Sequence, residues 1–292
     1  GIAAQFCTGN KNFRLIGNRM KEKGKKAAIL NGLKHATYGL IVTTDADCTM
    51  GECWLSSVAG FYNQHQPAMI VGLVDITETG GFFGTFREIE FLSLIAAGAA
   101  SAAAQKPLYC NGANLAYDKK AFQAFGDPLK KSVVSGDDTL FMLQLKKKDR
   151  QSIMLLKSSQ AVVNTKGVSS RRVFMEQRRR WLSKSRYYRD RDVIYTACLV
   201  FLLATMLVVT GVLMIMGHNF WLFPVILAAK TLADYLFLGS FMRFYGKKPL
   251  FPAFIVYEVI YPLYVLTVAI SGIFTGFEWK ERVHRSSGEP VG

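Results

Sequence analysis

The sequence predicts an α/β domain with a mostly parallel sheet, followed by an interfacial helix and about three C-terminal membrane helices. Up to about residue 192, short apolar runs alternate with helical patterns, which is typical of βαβ units. From Val193 onward, long apolar runs carry almost no charge. Half of the 292 residues are hydrophobic and the mean hydropathy is +0.18, which is high for a soluble protein.

The elements of the α/β part follow from their periodicity. Strands are predicted at 13–16, 40–44, 68–74 and 153–163, and helices at 24–36, 52–64, 81–104 and 137–147. Residues 109–114 are predicted to be a turn-rich strand end, and 131–136 a polar loop. The 81–104 helix carries three charges in its first third, so we expect it to pack on the domain or on the membrane surface and not to span.

Three apolar runs predict membrane segments, at 193–216, 220–241 and 250–274. Each is long enough to cross a bilayer core of about 30 Å. The first has no charged residue, the second has only Lys230 and Asp234, and the third has only Glu258. A buried core helix is the alternative for any single run, but three in succession favour a membrane region.

The topology of the last segment stays open at this point. Three spans after a cytoplasmic domain would place the C-terminal tail outside, whereas its basic residues, Lys280, Arg282 and Arg285, favour the inside. Pro252 and Pro262 could instead break the last segment into a re-entrant or interfacial piece.

The net charge of +15 does not indicate nucleic-acid binding. Between residues 169 and 192, nine basic residues and three acidic ones directly precede the first membrane segment. Such a cluster favours a cytoplasmic flank and contact with anionic lipids, and no nucleic-acid motif accompanies it. The five cysteines show no metal-ligand spacing, so reduced structural cysteines are expected.

Two pairs of aspartates are the first candidates for chemistry. Asp45 and Asp47 follow the strand at 40–44, where open α/β sheets bind ligands, and their carboxylates suit Mg²⁺ or Mn²⁺ holding a diphosphate. A polar turn is the alternative. Asp137 and Asp138 open a helix after Gly136, so one of them can cap the helix and the other can serve as a general base.

Two basic segments are the other candidates. In the run from Gln177 to Trp181, a helix would place Gln177, Arg180 and Trp181 on one face, with arginine for phosphate and tryptophan for stacking on a sugar. A juxtamembrane anchor is the alternative. Lys26 lies at a helix start, where a lysine is unfavourable unless an anion such as a nucleotide diphosphate is near; a solvated charge run is the alternative.

The order of these segments resembles a known family. The chain shows KGKKAAI, TTDADC, CNGAN, SGDDT and QRRRW in succession, followed by membrane segments and the run from Phe277 to Lys280. This set is similar to the membrane-bound inverting glycosyltransferases of family 2, which have a GT-A fold and include cellulose, hyaluronan, chitin and poly-N-acetylglucosamine synthases. The resemblance covers most of residues 11–285 and rests on the ordered set, since Asp-x-Asp alone is not specific.

The resemblance implies a role for each matching residue. Asp45 and Asp47 would hold the metal, Mg²⁺ or Mn²⁺, with the donor diphosphate. Lys26 would lie near the donor nucleotide, and Asp138 would be the catalytic base. Gln177, Arg180 and Trp181 would contact the donor diphosphate, with Trp181 also lining the acceptor site. Asn111 and Gly112 would lie near the acceptor sugar.

The resemblance also implies an organisation. It predicts an N-terminally truncated GT-A domain at 1–168, an amphipathic interfacial helix at 169–192, a membrane region at 193–276 and a polar tail at 277–292. The expected protein is a multi-pass protein of the cell (inner) membrane with a cytoplasmic catalytic domain. Its expected partners are a nucleotide-sugar donor, a carbohydrate or lipid acceptor, and membrane lipids.

Three functions are weighed on this basis. The first is inverting sugar transfer, from a UDP-sugar or a similar donor, to a growing polysaccharide, which the Q-x-x-R-W motif favours. The second is transfer of a single sugar to a lipid carrier. The third, from another class, is a transporter or channel subunit with a nucleotide-binding domain; no glycine-rich phosphate loop supports it, and only Lys230, Asp234 and Glu258 offer intramembrane charge.

Overall fold

The computed structural model of the chain describes residues 5, 7, 12–17, 24–77, 80–126, 128–129, 137–168, 170–247, 251–274, 277–279 and 282–284. The helices in this part are α1 (Lys25–His35), α2 (Trp54–His65), α3 (Gly81–Ala103), α4 (Lys119–Gln123), α5 (Asp137–Lys148), α6 (Arg171–Ser183), α7 (Arg191–Ile215), α8 (Leu222–Phe244) and α9 (Phe251–Phe274). The strands are β1 (Leu40–Thr43), β2 (Thr49–Met50), β3 (Met69–Gly72), β4 (Val74–Thr77), β5 (Leu115–Asp118), β6 (Ile153–Leu156), β7 (Val163–Lys166), β8 (Phe277–Trp279) and β9 (Arg282–His284).

The α/β part is built on two small sheets. The larger one has the order β1-β5-β3-β6, and the smaller one has the order β2-β7-β4. Strand β3 is parallel to β6, and β5 is antiparallel to both β1 and β3. Strands β1, β3 and β6 therefore point the same way and β5 runs against them, which confirms a mixed α/β fold with parallel strands. Strands β4 and β7 are also parallel.

Two of the predicted strands are each divided into two. The run at 68–74 forms β3 and β4, and the run at 153–163 ends in β6 and reaches β7 after a short turn at Ser159–Ala161. The chain passes from one sheet to the other at both breaks. The side chain of Asn114 stabilises both breaks. Its Nδ2 donates hydrogen bonds to the backbone carbonyls of Leu73 and Ala161, each over 2.8 Å.

Two further predictions of local structure were wrong. Residues 12–17 contain no strand, and Phe13 and Leu15 are more than half exposed, so this short apolar run has no sheet to join. The segment 109–114 is a turn that precedes β5 instead of ending a strand. The predicted loop at 131–136 lies outside the described residues.

Helix α3 joins the α/β part to the membrane helices. Its residues Phe91 and Ile95 pack with Val74 of β4, and its residues Phe86 and Leu92 belong to a second cluster with residues of α8 and α9. The prediction that this helix packs on the domain or on the membrane surface and does not span is therefore consistent with its position between the two.

Three helices are long and apolar enough to cross a membrane: Arg191–Ile215, Leu222–Phe244 and Pro252–Gly272. They coincide with the three predicted apolar runs. Pro262 lies inside α9 and the helix continues through it. The three intramembrane charges form one cluster, in which Lys230 pairs with Asp234 over 2.7 Å and also with the buried Glu258.

Ion pairs fix the start of α7 to the α/β part. Before and within the first turn of α7, Asp190 and Asp192 accept from Lys146 of α5 over 2.8 and 2.7 Å. The Lys146 side chain is only 7% exposed, whereas Asp190 is 21% and Asp192 42% exposed, so water screens the pair with Asp192 more than the pair with Asp190. The start of α7 is thus held close to the face of the domain that carries α5.

Candidate active site

The first aspartate pair lies at the carboxyl end of β1, as predicted. The chain turns there, with the backbone N–H of Cys48 donating to the carbonyl of Asp45 over 3.2 Å. The carboxylate of Asp45 accepts from Nζ of Lys25 over 2.5 Å, and both side chains are nearly half exposed, 41% and 46%. An exposed pair of this kind can separate at little cost when another ion binds.

Helix α1 begins beside this turn. Gly24, which precedes it, has φ +113°, a conformation that residues with a Cβ rarely adopt. Lys25 and Lys26 are the first two residues of α1 and lie in its first turn, where the helix dipole disfavours positive charge. Lys26 was the lysine predicted near the donor, and the structure adds Lys25 as the one that contacts Asp45.

The second acidic pair, Asp137 and Asp138, forms the start of α5. Asp138, in the first turn of α5, accepts the backbone N–H of Gly112 at its Oδ2 over 2.8 Å. A Cβ on Gly112 would lie 2.8 Å from the same oxygen, so only glycine permits this approach. Asp137 is the first residue of α5, but its side chain lies outside the described part of the structure.

Asp138 stands in an environment that the sequence did not reveal. Burial raises the pKa of the Tyr188 phenol, and the nearby carboxylate of Asp138 raises it further, while a hydrogen bond with Thr139 acts in the opposite direction. Burial also raises the pKa of the Cys110 thiol, with Asp138 again contributing. Both groups are therefore neutral at ordinary pH, and the Tyr188 hydroxyl remains available for hydrogen bonding close to Asp138.

Arg180 lines the same cavity as both acidic sites. Burial lowers the pKa of its guanidinium, and the carboxylates of Asp45 and Asp138 oppose that effect. The guanidinium of Arg180 thus interacts electrostatically both with Asp45, the predicted metal ligand, and with Asp138, the predicted base. All three residues line one cavity, although they come from the turn after β1, from α5 and from α6.

Asn111 and Gly112 lie in the turn before β5. Oδ1 of Asn111 accepts the backbone N–H of Ala113 over 3.0 Å, and its carbonyl accepts the N–H of Asn114 over 3.1 Å. These bonds fix the turn that presents Gly112 to Asp138. Both residues face the same cavity as Asp138.

The arginine that contacts Gln177 and Trp181 is one the motif does not specify. Arg178, 6% exposed, forms a two-pronged ion pair with Glu90 of α3 and donates to Oε1 of Gln177 over 2.5 Å. Its guanidinium also lies 4.3 Å from the ring centre of Trp181. The Glu90 carboxylate in turn accepts from the hydroxyl of Tyr264 in α9 over 2.8 Å.

Sequence reasoning missed this connection. Glu90 was visible only as a charge in an otherwise apolar helix, and Arg178 only as one of three consecutive arginines. A buried charge needs a partner, so a carboxylate in a predicted packed helix was the one available signal. Together Glu90 and Arg178 hold the Gln177–Trp181 segment in place between α3 and α9.

One continuous cavity of about 1910 Å³ collects all the predicted site residues: Lys26, Asp45, Asp47, Asn111, Gly112, Asp138, Gln177, Arg180 and Trp181. It extends into the membrane helices, where Phe201 and Ala204 of α7 and Tyr261 and Val265 of α9 line it. The polar end and the apolar end are thus parts of the same space.

The donor set at Asp45 and Asp47 fits a divalent metal. Both side chains offer hard carboxylate oxygens, and Mg²⁺ is commonly held by one or two carboxylates together with substrate phosphates. Within the described residues there is no group of three or more His, Cys, Asp and Glu side chains that could hold a metal alone. A metal at this pair would therefore need ligands from a bound diphosphate or water, and Lys25 would have to release Asp45.

The chain matches the family described as Glycosyl transferase family 21 over residues 12–286. It belongs to glycosyl transferase family 21. No curated protein matches the chain. The match confirms the prediction of a glycosyltransferase, which is an enzyme that takes a sugar donor and an acceptor, and it tells against the alternative of a transporter subunit. The narrower prediction of a family 2 synthase is not confirmed by this match.

Proposed function

We propose that this family 21 glycosyltransferase transfers one sugar from a nucleotide-sugar to a lipid acceptor held at the membrane. The observation that carries the proposal is the single cavity that joins Asp45 and Asp138 to residues of α7 and α9. Its inner part is lined by apolar residues of membrane helices, such as Phe201 and Val265, which suit a hydrocarbon chain. Lys230, Asp234 and three tyrosines of α9 also line this part, so the preference for a lipid over a polysaccharide rests on its apolar majority.

The donor would bind at the polar end of the cavity. Lys26 and Arg180 supply positive charge, and Gln177 lies on the same helix as Arg180. Asp45 and Asp47 would hold Mg²⁺ or Mn²⁺, which would supply positive charge to the donor diphosphate. This part of the proposal is supported by the motif order shared with family 2 enzymes of GT-A fold and by the carboxyl-end position of the aspartates.

Asp138 is proposed as the general base. Its carboxylate takes the proton of the acceptor hydroxyl as that oxygen attacks the anomeric carbon. The bond from this carbon to the diphosphate oxygen breaks, and the diphosphate leaves with the electron pair toward Arg180. One in-line displacement inverts the configuration at the anomeric carbon.

The geometry around Asp138 suits this role. The Gly112 N–H fixes Oδ2, and Oδ1 accepts the N–H of Thr139 over 2.9 Å, so the carboxylate cannot rotate freely. The Tyr188 hydroxyl, kept neutral by burial, lines the same cavity as Asp138 and is proposed to guide the acceptor hydroxyl. Positioning of this kind contributes a large part of the rate in two-substrate reactions.

The proposed side of the membrane is the cytoplasmic one. Nine basic residues precede and begin α7 against three acidic ones, and such an excess favours the cytoplasm. We propose accordingly a cytoplasmic α/β domain in an inner or equivalent cell membrane, where nucleotide-sugars are available.

The test uses membranes that carry the protein, a set of radiolabelled nucleotide-sugars and a total lipid extract. Label should move to the organic phase, with one sugar per acceptor, and Asp138→Asn should abolish the transfer. Label in a high-molecular-weight, water-soluble or insoluble polymer would instead establish polysaccharide synthesis. Absence of donor-dependent transfer with every donor and acceptor would overturn both forms of the proposal.

A further inference from the structure

Tyr245 and Lys247, which follow α8, contact the α/β part. The hydroxyl of Tyr245 donates to the carbonyl of Val74 in β4 over 3.2 Å. Nζ of Lys247 pairs with Asp75 over 2.5 Å and with Glu88 of α3 over 2.8 Å. Burial lowers the pKa of Lys247, but hydrogen bonds and attraction from both carboxylates outweigh it and raise the pKa overall. Helix α9 therefore starts from a point fixed to the catalytic domain.

The far end of α9 also lies on the catalytic domain. Gly272, near its last turn, packs so closely on Leu182 of α6 that a Cβ atom there would clash with the leucine side chain. Strand β8, which follows α9, contacts α6 as well. Leu182 lies next to Trp181 of the candidate site, so the chain returns to the active-site side at this point.

Between its ends, α9 packs against α3 and α6. Its Tyr257 packs against Phe86 of α3, and its Tyr264 packs against Phe86 and against Phe174 of α6. Tyr264 also donates to Glu90. The face of α9 that packs on α3 and α6 thus lines the active-site cavity on the side nearest the membrane.

The outward face of α9 is apolar and exposed. It presents a stripe of large side chains that are 41–56% exposed: Ile255, Val256, Val259, Leu263 and Ile270. Spacings of three, four and seven residues place these on one side of the helix. Helix α9 contacts both α7 and α8, which also expose large apolar side chains, so the bilayer that surrounds those helices is the natural occupant of the stripe.

Helices α7 and α8 behave differently from α9. Helix α7 starts at the ion pairs of Asp190 and Asp192 with Lys146, and α8 ends at Tyr245 on β4, while the turn at 217–221 between them is exposed. They form a hairpin that leaves the domain and returns to it. A helix of 24 residues is about 36 Å long, so a crossing α9 would carry Gly272 about 30 Å away from the domain that it actually contacts.

We infer that α9 does not cross the bilayer: it lies in the leaflet on the catalytic side, as the membrane-facing wall of the active site. Only the α7–α8 hairpin crosses, and the β8–β9 hairpin stays beside the catalytic domain. Arg282, in β9, then lies on the side that the basic cluster before α7 also occupies, in agreement with the preference of basic residues for one side.

The first experiment locates three epitope tags in intact and in permeabilised cells. One tag follows Gly292, a second is inserted between His218 and Asn219, and a third follows Lys148 in the catalytic domain. The tags at Gly292 and Lys148 should be accessible only after permeabilisation, and the tag at 218–219 already in intact cells. A tag at Gly292 that is accessible in intact cells together with that at 218–219 would overturn the inference.

The second experiment measures depth directly and does not depend on the tags. Spin labels are placed one at a time at Val256, Leu263 and Ile270 in protein whose native cysteines are replaced by serine, in sealed vesicles. A membrane-impermeant relaxing agent is added on the side opposite to the catalytic domain. All three labels should be unaffected, whereas a control label at Ile215, at the far end of α7, should relax. Relaxation at Ile270 equal to that at Ile215 would show that α9 crosses.

Discussion

The backbone N–H of Gly112 donates a hydrogen bond of 2.8 Å to Oδ2 of Asp138. The two residues are 26 positions apart, and the bond joins the turn before β5 to the first turn of α5. It sets the position of the carboxylate that we propose as the base, and a Cβ on residue 112 would lie only 2.8 Å from that oxygen.

Gly112→Ala should therefore displace Asp138 and lower kcat. A misplacement of about 1 Å at a reacting group costs on the order of a hundredfold in rate, and we expect a loss of that size. The measurement is the rate of sugar transfer at saturating donor and acceptor. Gly60→Ala is the matched control, since Gly60 lies in the exposed face of α2 with open space at its Cβ, and it should leave the rate unchanged.

Asp138→Asn should keep donor binding and lose transfer. The asparagine can still accept the Gly112 N–H, so the local structure is preserved, while the proton acceptor is gone; a general base typically contributes about 10²–10⁴-fold. Donor affinity is measured by calorimetry and transfer by initial rate. Asp137→Asn is the neighbouring control: because asparagine caps a helix as well as aspartate does, the helix start stays satisfied, and any effect should fall on stability and not on rate. Loss of donor binding in Asp138→Asn would assign the residue to the diphosphate site instead.

Removal of either carboxylate at the end of β1 should abolish activity. Asp45→Asn and Asp47→Asn each take a charged ligand from a pair that has no third acidic neighbour within the described residues, and EDTA should inactivate the unmodified enzyme in the same way. The control is Asp118→Asn, which removes a carboxylate that does not line the cavity and should therefore keep activity. Asp118 ends the antiparallel strand β5, and its side chain caps α4 by accepting the N–H of Ala121 over 2.8 Å. Full turnover in EDTA would exclude a metal-dependent reaction.

The sequence was sufficient for the parts of the site that local patterns record. Asp45 and Asp47 follow a short apolar strand, Asp138 opens a helix, and Gln177, Arg180 and Trp181 share a helical face, so each could be placed from its own segment. All of them line the one cavity. The family resemblance then predicted that these residues form one site and assigned a role to each.

Contacts between distant segments could not be predicted in this way. The pairing of Glu90 with Arg178 spans 88 positions, and the breaks between β3 and β4 and between β6 and β7 depend on hydrogen bonds from Asn114. No periodicity marks such partners. The direction of α9 was undetermined for the same reason, because its composition suits both a span and a helix in the membrane surface.

Arg178→Met should destabilise the protein strongly. It leaves Glu90, 3% exposed, as a buried charge that has lost its cationic partner, and breaking a buried pair costs about 3–5 kcal/mol. Thermal unfolding of the protein in nanodiscs is the measurement. Arg179→Met removes only a partly exposed pair with Glu176, and it should cost less than about 1 kcal/mol. Similar melting temperatures for the two variants would contradict a central role for the Glu90–Arg178 pair.

Arg180→Ala and Trp181→Ala should lower turnover far more than Arg171→Ala or Arg189→Ala. Arg180 lies close to Asp45 and Asp138, and Trp181 lines the cavity, whereas Arg171 and Arg189 are exposed residues of the same basic cluster. A charge-assisted contact to phosphate is worth about 1.5–3 kcal/mol, so a loss of at least tenfold in kcat/KM is expected for Arg180→Ala.

Flotation of vesicles that contain anionic lipid separates this role from membrane anchoring. If the cluster served only as an anchor, all four substitutions would weaken membrane association slightly and to similar degrees, because each of the three arginines near an anionic surface contributes about 1 kcal/mol and an interfacial tryptophan is a further anchor. We expect unchanged flotation for all four, since α7 and α8 hold the protein in the membrane. Equal losses of activity across the four variants would favour the anchor and remove Arg180 and Trp181 from the proposed donor site.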